Sequence, residues 1–236
     1  MKNREFSFPI RGQIVKLFGN ENTINIVTRH QEELSTPIYS IDLLKGDISY
    51  HKIPVVVNSI VLHDKTYYIG GKDKKIYKVN NDKNDILLTC ENDIIHLKIY
   101  EQELFVLTID SLQILNLKTE KVVQKIELEK ASFFDISPSG QWIAIGFENG
   151  VIQAFSREDQ KEWIALDKAT VHNSIVNNIL FDSQELQIIS TALDKKMMMS
   201  QIRGNFEITE RTSKGHDGII NTLISGPDNY FFSAGQ

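Results

Sequence analysis

Apolar residues along this chain come in short runs rich in Ile, Val, Phe and Tyr, separated by turns of Gly, Asn, Asp, Ser and Lys. No long stretch repeats them at i, i+3, i+4 and i+7, so the pattern predicts strands from one end to the other. Nineteen candidates stand out, from Gln13–Phe18 to Tyr230–Ser233, and the apolar pattern marks none of these over residues 44–58, 80–93 or 203–218. The segment Ser156–Lys168 admits a short helix, but its brief apolar run and strand-like flanks favour a charged turn followed by a strand over Glu162–Leu166. So many strands cannot share one flat sheet.

A repeat organises them. One strand in each unit carries a pair of residues three apart: Ile38/Ile41, Ile76/Val79, Leu112/Leu115, Ile152/Phe155 and Met197/Ser200, apolar at both places in all but the last. Successive pairs are 38, 36, 40 and 45 residues apart. Residues three apart on a strand face opposite sides, so apolar character at both suits a strand packed on each face. Intervals near 40 residues, each holding about four short strands, are what a blade of a β-propeller requires. The expected fold is therefore an all-β β-propeller of four-stranded antiparallel blades, about five blades and the first half of a sixth, in a single domain over residues 1–236. The blades fall at roughly 11–50, 51–90, 91–128, 129–168, 169–211 and an incomplete 212–236, with Glu5–Ile10, within residues 4–10, as a candidate closing strand. No blade is stable alone, which is why the pattern must recur.

The turns ahead of the third strands carry Asp73, Asn149-Gly150 and Asp194, residues whose side chains satisfy backbone donors while the chain reverses. At Asp110 the acid is displaced by one position, so the third unit reads as degenerate. The fourth unit, Phe134 to Phe155, has a Ser137-Pro138-Ser139-Gly140 turn, a small-residue strand end, the Asn149-Gly150 turn and a final aromatic. It resembles the WD40-repeat family of β-propellers, and the resemblance is strongest over residues 130–236. Val171-His172 and Gly215-His216 look like the family's Gly-His dipeptide ahead of the innermost strand. The resemblance implies a structural hydrogen-bonded network: His172, Ser190 and Asp194 in the fifth unit, with Ser200 where the family has a Trp, and His216 and Ser233 in the sixth. No unit ends its third strand in Trp-Asp, and the first three units match by strand pattern alone.

Composition narrows the function classes. With 26 Lys and Arg against 31 Asp and Glu the net charge is −5, which disfavours a domain that holds nucleic acid by neutralising phosphates. One cysteine, Cys90, and no Asn-x-Ser/Thr sequon point to a reducing compartment, so a cytoplasmic location is expected. The N-terminus lacks the apolar core of a signal peptide, and no stretch reaches the ~18 apolar residues of a membrane span. Six lysines between Asp64 and Asp85 (65, 72, 74, 75, 78 and 83) face four aspartates there; a solvated face is favoured over a basic rim.

Ser, His and Asp are also the residues of acyl transfer, but no Gly-x-Ser-x-Gly elbow exposes a nucleophile. The histidines at 30, 51, 63, 96, 172 and 216 show no short ligand spacing. The run Met197-Met198-Met199 lies in a third strand and is read as core filling toward both neighbours. No catalytic, cofactor-binding or metal-binding residue is assigned, and the chain is not expected to be an enzyme.

The resemblance implies a protein-interaction scaffold that displays a rigid ring surface to partner proteins. On that analogy the turns between second and third strands nominate Lys72, Glu148 and Lys195 as contact residues. Two other readings stand beside it: a regulatory or sensor portion of a larger signalling or ATPase protein, and a small-molecule-binding or enzymatic propeller with its site in the central channel. Against the last, each innermost strand carries only one or two polar residues, too varied to specify a reaction. A length of 236 residues divided by the repeat gives just under six units, and the chain stops at Gln236 where a turn and two more strands are due. An open or poorly closed ring is therefore expected, with an unpaired strand edge, a native protein that continues by at least part of a blade, and a monomer unless that edge pairs.

Overall fold

A computed structural model describes residues 10, 13–20, 22–29, 35–53, 55–80, 83–158, 161–185, 187–201, 209–213, 216–226 and 230–235. These residues form 22 strands and no helix, and every pairing is antiparallel. The first sheet runs β1 (Gln13–Asn20), β2 (Thr23–Arg29), β3 (Thr36–Asp42) and β4 (Ile48–Ile53) in sequence order. The second holds β5 (Val57–His63), β6 (Thr66–Gly71), β7 (Lys75–Asn80) and β8 (Lys83–Thr89), and the third β9 (His96–Tyr100), β10 (Glu103–Leu107), β11 (Ser111–Asn116) and β12 (Lys121–Glu127). The fourth is β13 (Ala131–Ile136), β14 (Trp142–Phe147), β15 (Val151–Ser156) and β16 (Ile164–Thr170). The fifth is β17 (Val176–Phe181), β18 (Gln187–Ala192), β19 (Met197–Gln201) and β20 (Thr209–Ser213). Among the described residues the sixth sheet has two strands, β21 (Ile220–Ser225) and β22 (Phe231–Gly235), and every strand pairs only within its own sheet. The candidate closing strand Glu5–Ile10 lies outside the described residues except for Ile10, which is in no strand.

The chain divides into two compact units, one of the residues up to Asn58 with Gly71–Asp73, the other of Ser59–Gly70 and everything from Lys74 on. In the first unit, Val27, Ile38, Ile41 and Ile53 form the buried interior. There the Thr36 hydroxyl donates to the Val55 carbonyl at 2.8 Å and accepts the Val57 N–H at 3.0 Å, tying β3 to the start of β5.

The spaced pairs explain why the third strands form. Ile38 and Ile41, Ile76 and Val79, Leu112 and Leu115, Ile152 and Phe155, and Met197 and Ser200 are all buried, although members of each pair face opposite sides. Full burial of each such aliphatic side chain contributes about 1.5–3 kcal/mol. The methionines show the alternation directly. Met198 packs with Ala144, Val176 and Ile179 on one side of β19, while Met197 and Met199 pack around Ile189, Ile220 and Leu223 on the other.

The fourth strands obey a different rule. β4, β8, β12 and β16 are mostly exposed, so little apolar pattern marks them. β4, β8 and β20 fall inside the three intervals where the hydrophobic pattern marks no strand, and ladder bonds to β3, β7 and β19 form them, completing the four strands expected of each unit there. Ser156–Lys168 contains no helix among its described residues, and β16 begins at Ile164.

Within the second unit, a shared device joins successive sheets. β13, β17 and β21 each carry a β-bulge at their second residue, between Ala131 and Phe133, Val176 and Asn178, and Ile220 and Thr222. A bulge re-aims the side chain it frees. The freed Ser132 hydroxyl donates to the Val176 carbonyl at 2.7 Å, and the freed Asn177 amide donates to the Ile220 carbonyl at 2.6 Å. Asp135 of β13 accepts the Phe181 N–H at 3.0 Å and is ion-paired with Lys98 of β9, so one carboxylate reaches three sheets. Likewise the Ser59 hydroxyl accepts the Leu97 N–H at 2.9 Å.

Candidate functional site

The chemistry-bearing cluster sits at one end of the fifth sheet. His172 lies in the loop four residues ahead of β17, Ser190 is in β18, and Asp194 is in the turn from β18 to β19. The loop is positioned from the sheet before it: the Gly150 carbonyl accepts the Val171 N–H at 3.1 Å and the His172 N–H at 3.0 Å. Gly150 adopts φ +81°, and a Cβ on it would overlap the His172 carbonyl oxygen, so only glycine fits the turn begun by Asn149.

The imidazole is bonded at both nitrogens. Nδ1 is 3.2 Å from each Asp194 carboxylate oxygen, and Nε2 is 2.9 Å from the Ser190 hydroxyl. In the neutral tautomer these partners favour, Nδ1–H donates to Asp194 and Nε2 accepts from Ser190. Burial holds the His172 pKa below the ordinary value, and the Asp194 carboxylate offsets this only in part. For Asp194, burial works to raise the pKa. It is outweighed by the N–H groups of Asn173 and Lys196, both at 3.1 Å, and by His172, so the net shift is downward.

These are the contacts of an acyl-transfer triad with one difference that decides the chemistry. Ser190 is fully buried and His172 nearly so. A nucleophile needs a reactive carbonyl within about 3 Å of its oxygen, and a hydroxyl sealed in the interior offers no such place. What the arrangement does is satisfy two buried polar groups and a half-buried carboxylate at once and fasten the β18–β19 turn from beneath.

The sixth sheet repeats the contact: His216, four residues ahead of β21, has Nε2 2.8 Å from the Ser233 hydroxyl of β22. The third sheet holds a variant that the sequence pattern does not suggest. Asn92 stands four residues ahead of β9, as the two histidines stand ahead of their strands, and its amide donates to Asp110 at 2.7 Å. The Thr108 hydroxyl donates to the same carboxylate at 2.6 Å. Thr108 is the leading cause of the lowered Asp110 pKa. The one-position displacement of Asp110 therefore does not unmake its turn. The common offset of four residues ahead of the first strand is the signal that would have found Asn92.

Ser200 does not join the cluster. It lies opposite Ile188, whereas Ser190 lies opposite Met198, and the fully buried Ser200 hydroxyl has no hydrogen-bond partner among the described residues. The nominated contact residues occupy equivalent turns, each between the second and third strands of its own sheet. Lys72 and Lys195 are exposed, Lys195 with φ +65°, and Glu148 is half-buried with its N–H donated to the Lys130 carbonyl at 2.9 Å. Lys78, from the lysine-rich stretch, is ion-paired with Glu120 at 2.6 Å.

Other reactive groups have quiet surroundings. Cys90 is buried, and burial leads in pushing its thiol up to about 11. His96 stacks on Phe133 at 4.4 Å, and His63 Nε2 lies 3.3 Å from Asp64. Among the described residues, no group of three or more His, Cys, Asp or Glu is placed to hold a metal ion, and no helix is long and apolar enough to cross a membrane.

No family model matches the chain, and no curated protein matches it. Solved structures do. The WD40 beta propeller domain of Doa1 is similar with a TM-score of 0.72 at 13% identity, over 94% of this chain and 78% of that one. The computationally designed Ika8 protein is similar with a TM-score of 0.69 at 16% identity, over 94% of this chain and 68% of that one. At such identities the likeness speaks to backbone architecture alone. Together with the four-stranded antiparallel sheets, the recurring inner-strand bulges and the His–Ser contacts ahead of two of them, it identifies the fold of this chain as that of a WD40-type β-propeller.

Proposed function

We propose that this propeller is a protein-interaction scaffold that presents rigid turns to partner proteins. The observation that carries this reading is the β18–β19 turn. Asp194 binds it to His172, Asn173 and Lys196, while Leu193, Lys195 and Lys196 remain exposed on its outer side. A fixed backbone bearing exposed apolar and cationic side chains loses little entropy on binding, which favours recognition. Glu148, and Lys72 in its own sheet, occupy the corresponding turns.

A site among the innermost strands finds less support. Ser59, Ser132, Asp135 and Asn177, four of the polar residues on those strands, are engaged in bonds to neighbouring sheets. A catalytic role for Ser190 is disfavoured by its burial. The partner class is read from the fold by analogy, so the test is direct. Proteins captured by the wild-type chain should bind a folded K72A/E148A/K195A variant at least about tenfold more weakly, the loss expected when hot-spot contacts are truncated. Undiminished binding removes these turns from the interface.

A further inference from the structure

Where the fifth and sixth sheets meet, at the end of β18 opposite to Asp194, lies a cavity of about 180 Å³ apart from the His172 cluster. Leu180, Ile189, Met199 and Phe231 form its walls, and Asp182 and Tyr230 stand among the residues at its polar edge. Ile189 is buried, whereas Tyr230 is 68% exposed, so the cavity grades from apolar floor to open mouth. Among the described residues Asp182 is the sole charged one of the lining, and the turn that carries it is fixed: its carboxylate accepts the Gln187 N–H at 2.9 Å.

We infer that this cavity is a docking site for a partner peptide in which a bulky apolar side chain, Phe or Leu, stands next to an arginine or lysine. The volume sets the anchor, since an apolar cavity of about 150 Å³ accommodates a benzene ring. Met199 suits an aromatic guest, because a thioether adapts to the ring and contacts its edge favourably. The charge sets the neighbour: the Asp182 carboxylate at the mouth attracts a cation and repels an acidic flank. The inference rests on the interaction reading, but it uses the opposite end of the blades from Lys195 and Glu148, so the two can fail separately.

The test uses the intact chain with ¹³C-labelled methionine methyl groups, the Met199 signal being assigned by its loss in Met199→Leu. The probes are the blocked dipeptides N-acetyl-Phe-Arg-amide, N-acetyl-Phe-Glu-amide and N-acetyl-Ala-Arg-amide. Phe-Arg should shift the Met199 methyl saturably, with a dissociation constant on the order of 1 mM for so small a ligand. Phe-Glu and Ala-Arg should bind less tightly. Asp182→Asn, which retains an acceptor for Gln187, should weaken Phe-Arg about two- to fivefold and leave Phe-Glu no weaker. Ser225→Trp, at an exposed rim position, should block the shift, whereas Glu148→Ala/Lys195→Ala should leave it unchanged. No saturable shift with Phe-Arg, equal shifts with all three probes, or binding indifferent to Asp182→Asn overturns the site. Loss of captured partners in K72A/E148A/K195A with the Met199 shift intact would leave both readings standing as separate surfaces.

Discussion

Gln124 grips the backbone of Trp163 with both ends of its amide: Oε1 accepts the Trp163 N–H at 2.9 Å, and Nε2 donates to the Trp163 carbonyl at 3.1 Å. Gln124 belongs to β12, the outermost strand of its sheet, so a side chain here does the work of a neighbouring strand for the segment entering β16. The Trp163 ring lies 4.5 Å beneath the Arg157 guanidinium, which also donates to Glu103 of β10 at 2.6 Å and, through Nε, to the Gly140 carbonyl at 3.1 Å. The third and fourth sheets are thus clamped at their outer edge by two polar side chains around one indole.

Removing the clamp should be visible at the indole. Gln124→Ala leaves the Trp163 N–H and carbonyl without their partner, and a cost of about 1–2 kcal/mol is expected. The chain has two tryptophans, so the measurement is made with Trp142→Phe in place. Urea denaturation should show a lower midpoint, and Trp163 emission should move toward the red as water enters. An unchanged midpoint and spectrum would mean the clamp is ornamental.

For the buried cluster, His172→Ala should lower stability by about 1–3 kcal/mol, because Ser190 and Asp194 then lose their shared partner. Ser190→Ala in the same background should cost less than it does alone, and a double-mutant cycle measures that coupling. A His172→Ala protein of full stability that had lost an ester- or peptide-cleaving activity would overturn the structural role.

Acid should act through the same residues. The folded pKa of His172 is depressed, so the unfolded chain takes up the proton first as pH falls below the ordinary histidine value near 6.5. The stability associated with neutral His172 is complete above that value and is lost as pH drops through the folded pKa. Asp194 and Asp110, both lowered, add a second loss below the ordinary carboxylate value of 3.8. Denaturation midpoints should fall between pH 7.5 and 5, and His172→Gln should flatten that part of the profile. A slope identical in wild type and variant would assign the effect to other groups.

Gly150→Ala tests the link between the fourth and fifth sheets. The substitution places a Cβ at φ +81° and against the His172 carbonyl, so a loss of at least about 2 kcal/mol is expected. A smaller loss, read from the shift in thermal midpoint, would show that the His172 loop yields.

What the sequence revealed follows from where each residue's partners lie. The second and third strands are legible because they are apolar toward two neighbours, as Ile152 and Phe155 show, and strand pattern records burial. β4, β8 and β20 escape because outer strands are held by main-chain bonds that any residue can make. The His172 cluster is legible because its members recur at fixed offsets from strands, but Asn92 breaks the residue type while keeping the offset. Contacts such as Gln124 with Trp163 and Arg157 with Glu103 span 39 and 54 residues, and no local pattern encodes them.

The bulges on the innermost strands have a mechanical corollary. Inside a sheet each strand is held by a full ladder of main-chain bonds, whereas β13 meets β17, and β17 meets β21, through apolar packing and scattered hydrogen bonds such as those of Ser132 and Asn177. Under a pulling force the seams between sheets are the weak planes, and each is a discrete yield point. The second unit should therefore extend in steps of one repeat, shedding whole sheets in order before any sheet unravels.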